Sequence, residues 1–334
     1  MRLPKFDYSG PDTLEKALDL LAARGQDAKI LAGGTDLLVR MKKGLLAPKV
    51  IISLKALKDL SYIKKDKDMI RIGARTSLAD IIASDPVQTE AAALSNACEK
   101  IGSAAIQHFR GTIGGNILQD NRCFHYNQSA FHRSGRQACH KDGGKICYAR
   151  DESDRCNSTC QSDGATALMA LDARLVLVSK GNERTVALTD FYTTDGIMPF
   201  AMEPHELLKE IIIPAGGGKS SYHRLAYRSA IDYPIVCASV LLKTSPAQKD
   251  TIEDARIVVG AMGRSPLFLA KESSALKGKA FTDTGAFQKA GNAAMNSASA
   301  FAVHNVGATL AYRCAMVSEM VFRALKEAAR AVQA

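Results

Sequence analysis

Apolar residues recur at helical spacing over residues 12–25, where Leu14, Ala17, Leu18, Leu20, Leu21 and Ala22 form one stripe behind a capping Asp12 or Thr13. Gly25 closes that helix, and Lys29-Ile30-Leu31 is a short apolar run that stops at Gly33-Gly34, as a buried strand feeding a tight loop would. Val50-Ile51-Ile52 and Met69-Ile70-Arg71-Ile72 read as further strands, and residues 77–83 and 86–101 as helices. The first third is therefore mixed α/β. Residues 117–163 break the pattern, because charges, His, Gly and Cys alternate there without apolar periodicity, the mark of a loop-rich insertion. Beyond it, Ala165 to Ala173 is helical or simply apolar, and Arg174 to Ser179 and Lys209 to Pro214 are strands. Gly216 to Ser221 reads as a flexible linker and a domain boundary. Ile235 to Lys243 and Glu253 to Gly260 follow as strands, before an alanine-rich helix from about Ala308 to Ala331. This predicts an α+β chain with a larger domain over residues 1–215, carrying an insertion at about 117–161, and a smaller α+β domain over 221–330.

The length of 334 residues and the 46% hydrophobic share suffice for two cores. No apolar run reaches the length of a membrane span, and the first residues contain no signal-peptide core, so the expectation is a cytoplasmic protein with no membrane partner. A net charge of +10 favours acidic partners. The basic residues are dispersed, however, and no zinc-finger, RNA-recognition or basic-helix signature appears, so nucleic acid is not expected.

Two glycine loops carry candidate chemistry. Ala32-Gly33-Gly34-Thr35-Asp36-Leu37 follows a strand, and Thr112-Ile113-Gly114-Gly115-Asn116 repeats the pairing of glycines with polar neighbours. A diphosphate needs converging backbone N–H groups, which glycine permits because it lacks Cβ and tolerates positive φ. Neither loop fits the dinucleotide fingerprint or the phosphate loop of nucleotide hydrolases, which points to a flavin site of another kind. The two loops are expected to supply amides, and their Thr, Asp and Asn side chains acceptors for ribityl and ribose hydroxyls.

Five of the eight cysteines lie between Cys123 and Cys160. Four thiolates from one loop-rich segment are what a cubane iron–sulfur cluster requires, and cluster bonds could order a segment with little core of its own. Zinc is the competitor, but paired C-x₂₋₄-C knuckles are absent apart from Cys156-x₃-Cys160. Cys160 is the surplus thiol, read as buried, with replacement of Cys156 as the alternative. His125, His132 and His140 are read as surface groups or neighbours of the ligands, and Cys98, Cys237 and Cys314 as core residues.

Ile30 to Leu37, Arg71 to Ala74, Gly111 to Ile117, Ser162-Asp163-Gly164 and Arg228 to Val236 resemble the FAD-binding subunit of molybdenum hydroxylases, the xanthine dehydrogenase and carbon monoxide dehydrogenase family. The resemblance spans nearly the whole chain. It implies a vanillyl-alcohol-oxidase-type (PCMH) FAD-binding domain in two subdomains plus the small C-terminal domain of the CO dehydrogenase flavoprotein type. It also implies FAD contacts at Ala32 through Leu37, at Thr112, Gly114, Gly115 and Asn116, and at Asp163, with Leu208 and Arg224 near the flavin. Arg224 stands where many members have Lys. The insertion, with Arg122-Cys123, Tyr126-Asn127-Gln128, Arg133, Cys139, Gly143, Cys147 and Cys156, is similar to the β subunit of 4-hydroxybenzoyl-CoA reductase. That similarity implies a [4Fe–4S] cluster on Cys123, Cys139, Cys147 and Cys156, which are separated by fifteen, seven and eight residues.

No Ser-His-Asp or Cys-His arrangement and no molybdenum or [2Fe–2S] cysteine set is visible, so no catalytic residue is assigned, and the chain reads as an electron relay within a hetero-oligomer. The resemblance implies a molybdopterin-binding large subunit, a [2Fe–2S] small subunit and a ferredoxin-like low-potential donor, serving reductive dehydroxylation of an aromatic substrate. Two alternatives stay open. One is an oxidising hydroxylase that passes electrons to NAD or another acceptor, and the other is a non-redox scaffold with structural zinc.

Overall fold

The computed structural model describes residues 2–216, 218–244, 250–304 and 307–333. Three sheets form the frame. The first is parallel, with strand order β1-β3-β2 and strands β1 (Asp7–Ser9), β2 (Ala28–Leu31) and β3 (Val50–Ser53). The second is antiparallel, in the order β4-β5-β8-β6-β7, built from β4 (Ile63–Lys65), β5 (Met69–Gly73), β6 (Arg174–Ser179), β7 (Asn182–Ala187) and β8 (Leu207–Pro214). The third, β12-β11-β10-β9, is also antiparallel and comprises β9 (Gly218–Leu225), β10 (Val236–Lys243), β11 (Asp254–Gly260) and β12 (Leu267–Phe268).

Apolar periodicity explains how these layers meet. On β5, Ile70 and Ile72 point to one face and are fully buried in the central core with Leu208, Ile211 and Ile213 of β8. The helix Leu14–Arg24 sets Ala17, Leu18 and Leu21 against Val50 and Ile52 of β3 and against Val176 and Val178 of β6, which joins the first two sheets. On β10, Val236, Ala238, Val240 and Leu242 face the C-terminal core, while Leu241 on the opposite face joins the central one. The helix Leu310–Gln333 supplies Val317, Val321, Ala324, Leu325 and Ala328 to the C-terminal core at three- and four-residue spacing. No helix among the described residues is long and apolar enough to cross a membrane.

Three stretches differ from expectation. The stretch read as a linker, Gly216 to Ser221, enters β9 at Gly218, and Gly217 lies outside the described residues. Its serines are buried because their polar atoms are satisfied. Ser221 Oγ donates to Ala324 O at 2.6 Å, and Ser220 Oγ accepts from Ala93 N at 3.1 Å. The segment read as one helix over 86–101 is two, Asp85–Glu90 and Ala92–Lys100, and the helix Thr284–Ser299 was not foreseen.

A single cation locks the C-terminal domain. Arg313 is fully buried and donates to the carbonyls of Ile235, Val303 and Ala261, with no carboxylate among these partners. Arg313→Met would leave three buried carbonyls unpaired at about 1–3 kcal/mol each. We therefore expect it to lower unfolding free energy by about 3 kcal/mol or more, read from a urea melt, whereas a loss under 1 kcal/mol would mean that the carbonyls find other donors.

Candidate functional site

The first glycine loop leaves β2 at Leu31 and ends at the helix Leu37–Lys42. Gly34 has φ +75°, a left-handed conformation that side chains rarely adopt. At Gly33 a Cβ would stand 1.7 Å from Arg110 O and 3.2 Å from the Gly111 Cα, so the two glycine loops touch here, backbone to backbone. The first loop amide with a backbone acceptor is that of Leu38, which donates to Gly34 O at 3.1 Å. The N–H groups of Gly33, Gly34, Thr35, Asp36 and Leu37 make no backbone hydrogen bond among the described residues, which leaves donors for an anion.

The second loop differs from expectation. Thr112 caps a short helix, Ile113–Ile117, and its Oγ1 accepts from Gly115 N at 3.1 Å. The amides of Ile113 and Gly114 donate to Thr76 O and Ala74 O, and that of Asn116 to Thr112 O. Asn116 Oδ1 is occupied as well, accepting from Ser162 Oγ at 2.7 Å and from Gly164 N at 3.1 Å. Gly114 is required by the close approach of Ala74 O, 2.7 Å from where a Cβ would be. These amides and acceptors hold the loop against Ala74 and Thr76, which follow β5, and against the start of the helix Asp163–Ala170.

Asp163, next to Ser162, is buried beneath β9. Its Oδ1 accepts from Tyr222 Oη and pairs with Arg224 Nη1 at 3.4 Å. Burial raises its carboxyl pKa above the ordinary value, against the opposing pull of Arg224 and Tyr222. Arg224 also donates to Lys100 O at 2.7 Å, and its Nη2 is buried with no hydrogen-bond partner. Leu208 sits in the central core opposite Leu177 of β6. The structure thus brings Asp163, Arg224 and Asn116 into one hydrogen-bonded neighbourhood, while Leu208 belongs to the apolar layer under Ile113.

The insertion is fastened to the first loop by charge. Arg122 Nη2 bonds Asp36 Oδ1, and its guanidinium also lies over the Tyr233 ring, 4.9 Å from the centroid. Arg40 pairs with Asp120 at 3.1 Å, and Asp120 in turn with Lys141 Nζ at 2.9 Å. Lys141 further donates to Asn121 O, Ser158 Oγ and Gly196 O, and only 7% of its side chain is exposed. Non-hydrophobic anchoring of this segment was expected, but a small apolar cluster of Cys123, Tyr126, Ala149 and Val303 also contributes.

Cys123, Cys139, Cys147 and Cys156, spaced along the insertion, line one cavity of about 10 Å³ together with His125, His140 and Lys141. All four are free thiols. Burial pushes the Cys123 thiol up to about 11 and raises Cys156 above its ordinary value. Around Cys156 the backbone closes tightly, since a Cβ on Gly196 would stand 2.9 Å from its Sγ. Among the described residues, no group of three or more His, Cys, Asp or Glu side chains is arranged to hold a metal ion. The expected ligand set is therefore brought together, but not into a finished coordination shell. Cys160 stands apart in the central core with Tyr192, its amide bonded to Gly263 O at 3.0 Å. His132 is exposed, whereas His125 and His140 line the cavity wall beside the cysteines, as the reading of neighbours of the ligands allowed.

Residues 4–216 match the family described as the FAD binding domain in molybdopterin dehydrogenase. The chain belongs to this family. Residues 221–328 match the CO dehydrogenase flavoprotein C-terminal domain, so both halves carry the expected architecture. The chain is 28% identical over 281 residues to the nicotinate dehydrogenase FAD-subunit of Eubacterium barkeri, covering 83% of this chain and 81% of that protein. It is also 28% identical over 327 residues to the carbon monoxide dehydrogenase medium chain of Hydrogenophaga pseudoflava, covering 97% of each. The solved carbon monoxide dehydrogenase from that organism superposes with a TM-score of 0.78 at 27% identity, over 99% of each chain. This member of the family is accordingly an FAD-binding oxidoreductase subunit with the PCMH-type fold.

Proposed function

We propose that this chain is the electron-transfer subunit of a heteromeric molybdenum enzyme, with FAD on the first glycine loop and a [4Fe–4S] cluster on Cys123, Cys139, Cys147 and Cys156. The observation that carries the reading is the convergence of those four thiols on one cavity, fastened through Arg122 to the loop with the free amides and through Asp120 to the helix that follows it. The residues fit both groups in their chemistry. Unpaired N–H groups at Gly33 to Leu37 and the orphaned Nη2 of Arg224 suit an anionic, polar cofactor, and four thiols suit iron. The cavity is only about the size of one water, so cluster assembly requires the half-buried Cys139 and Cys147 loops to move outward. Bound FAD would supply the ability to exchange electrons singly or in pairs, and the cluster a one-electron relay.

The partners in this reading are a molybdopterin-binding large subunit and a [2Fe–2S] small subunit. The site residues in this reading are Ala32 to Leu37, Thr112, Gly114, Gly115, Asn116, Asp163, Leu208 and Arg224 for FAD, within a division near residues 216–221. Thr112, Gly114, Asn116 and Leu208 act in it by shaping the neighbourhood, given how their side chains and amides are already used.

Two directions of flow remain as readings. The insertion supports the 4-hydroxybenzoyl-CoA reductase type, in which a ferredoxin-like donor feeds reductive dehydroxylation of an aromatic substrate. The names of the relatives, dehydrogenases of nicotinate and carbon monoxide, favour oxidation with electrons leaving through the flavin. Anaerobic assay of the whole complex with reduced viologen and an aromatic acyl-CoA thioester decides between them. Turnover that is lost in Cys147→Ala supports the reductive reading. Absence of turnover, with substrate-driven reduction of an added acceptor, supports the oxidative one.

A further inference from the structure

We infer that Arg122 is the positioning residue of the first glycine loop, its guanidinium cancelling the Asp36 carboxylate so that the loop can accept a diphosphate. This inference rests on FAD binding to that loop and requires no metal at the cysteines. The loop contains a conflict of charge. The N–H groups of residues 33–37 are open to an anion, yet Asp36 among them carries a carboxylate of the same sign as a diphosphate. Only 23% of the Asp36 side chain is exposed, so water screens that repulsion incompletely. Two cations face the carboxylate. Arg40 stands 3.9 Å from it and lies closer to Asp120, at 3.1 Å, whereas Arg122 bonds Asp36 Oδ1 directly through Nη2.

Groups outside the loop hold Arg122 in this place. Its backbone pairs with that of Thr159 in both directions, its N–H donating to Thr159 O at 2.8 Å and its O accepting from Thr159 N at 2.7 Å. This bridge ties together the two ends of the insertion. Cys139 and Cys147 lie between those ends and take no part in it, so movement of their loops does not require the Asp36 pair to break. From the C-terminal domain, Tyr233 covers the guanidinium with its ring, and only 13% of the Arg122 side chain is exposed. The ion pair has no net charge, so the amides of the loop act on an anion unopposed. A bare Asp36 would oppose them. Asp36 is thus tolerated in an anion-binding loop because the insertion and the C-terminal domain together supply its counter-charge.

The test is a fluorescence titration of the flavin-depleted complex with FAD. Arg122→Met is expected to weaken binding about tenfold or more, since it leaves a poorly screened charge facing the diphosphate. Arg122→Gln keeps an N–H donor for Asp36 without the charge and is expected to lose affinity as well, whereas Arg122→Lys, which keeps the charge, is expected to recover most of it. Adding Asp36→Asn to Arg122→Met is expected to tighten binding again, because the charge that Arg122 no longer cancels is gone. Wild-type affinity in the Gln variant would make Arg122 a hydrogen-bonding tether only and overturns the inference. A double variant that binds no more tightly than Arg122→Met overturns it too. Should Arg122→Met not fold, Arg122→Gln with and without Asp36→Asn carries the same comparison. FAD affinity untouched by Gly33→Ala is a different failure, since it takes the cofactor off this loop altogether.

Discussion

Serine in place of any one of Cys123, Cys139, Cys147 or Cys156 is expected to abolish the iron–sulfur signal of protein purified without oxygen, while Cys160→Ser retains it in full. The four residues share one cavity, and Cys160 does not line it. Its neighbours are the apolar side chains of the central core, where burial pushes its thiol up to about 12 and keeps it protonated. A hydroxyl is a far poorer iron ligand than a thiolate, so a single exchange removes a quarter of the coordination shell. The effect on folding should be unequal. The 117–161 segment has little apolar core, so variants that lose the cluster should expose it to proteolysis between Cys123 and Cys156 before the rest of the chain is cut. Cys160→Ser should cost only about 1 kcal/mol of stability. Iron retained at Cys156→Ser and lost at Cys160→Ser would move the fourth ligand.

Gly33→Ala should strip FAD from the protein, and more completely than Gly34→Ala does. The added methyl at position 33 would lie 1.7 Å from the Arg110 carbonyl oxygen, a backbone atom that moves only if the second loop moves with it. Separating the loops displaces the unpaired amides of residues 33–37 together with the Asp36 to Arg122 contact. At position 34 the penalty is milder. The φ of +75° costs an alanine about 1–2 kcal/mol, and the nearest obstacles are the Cδ1 atoms of Leu31 and Leu38, at 3.0 and 3.1 Å, which can shift. Weakening of about tenfold is expected there, against loss of bound flavin through gel filtration for Gly33→Ala. Both are read from flavin absorbance per protein and from fluorescence titration with FAD. Unchanged affinity in the Gly33 variant would place the cofactor elsewhere.

The contrast between these two glycines shows what the sequence could and could not convey. Helices Leu14–Arg24 and Leu310–Gln333 were legible from their apolar period, and the strands at Ala28–Leu31 and Met69–Gly73 as short apolar runs. Strand β9 was hidden because it fills a buried layer with Ser220 and Ser221, whose composition reads as linker until their hydrogen-bond partners on distant helices are known. The glycine pairs were visible as loops, but their division of labour was not. Whether an amide is free or spent depends on Thr76, Ala74 and Thr112, and nothing in the Gly-Gly spelling encodes that. The cysteines were chosen by number and kinship, and the structure adds that they converge. Lys141, Asp120 and Arg40 escaped notice entirely, since long-range ion pairs between polar segments leave no periodic trace.

The cofactor content of the purified, anaerobically handled chain in its complex tests the relay most directly. Flavin extraction, iron and acid-labile sulfide assay, and metal analysis on one sample should give one FAD with four iron and four sulfide attributable to this subunit, and no zinc. FAD with stoichiometric zinc and no sulfide, or FAD with no metal at all, would contradict the claim that the cysteine insertion is an electron relay.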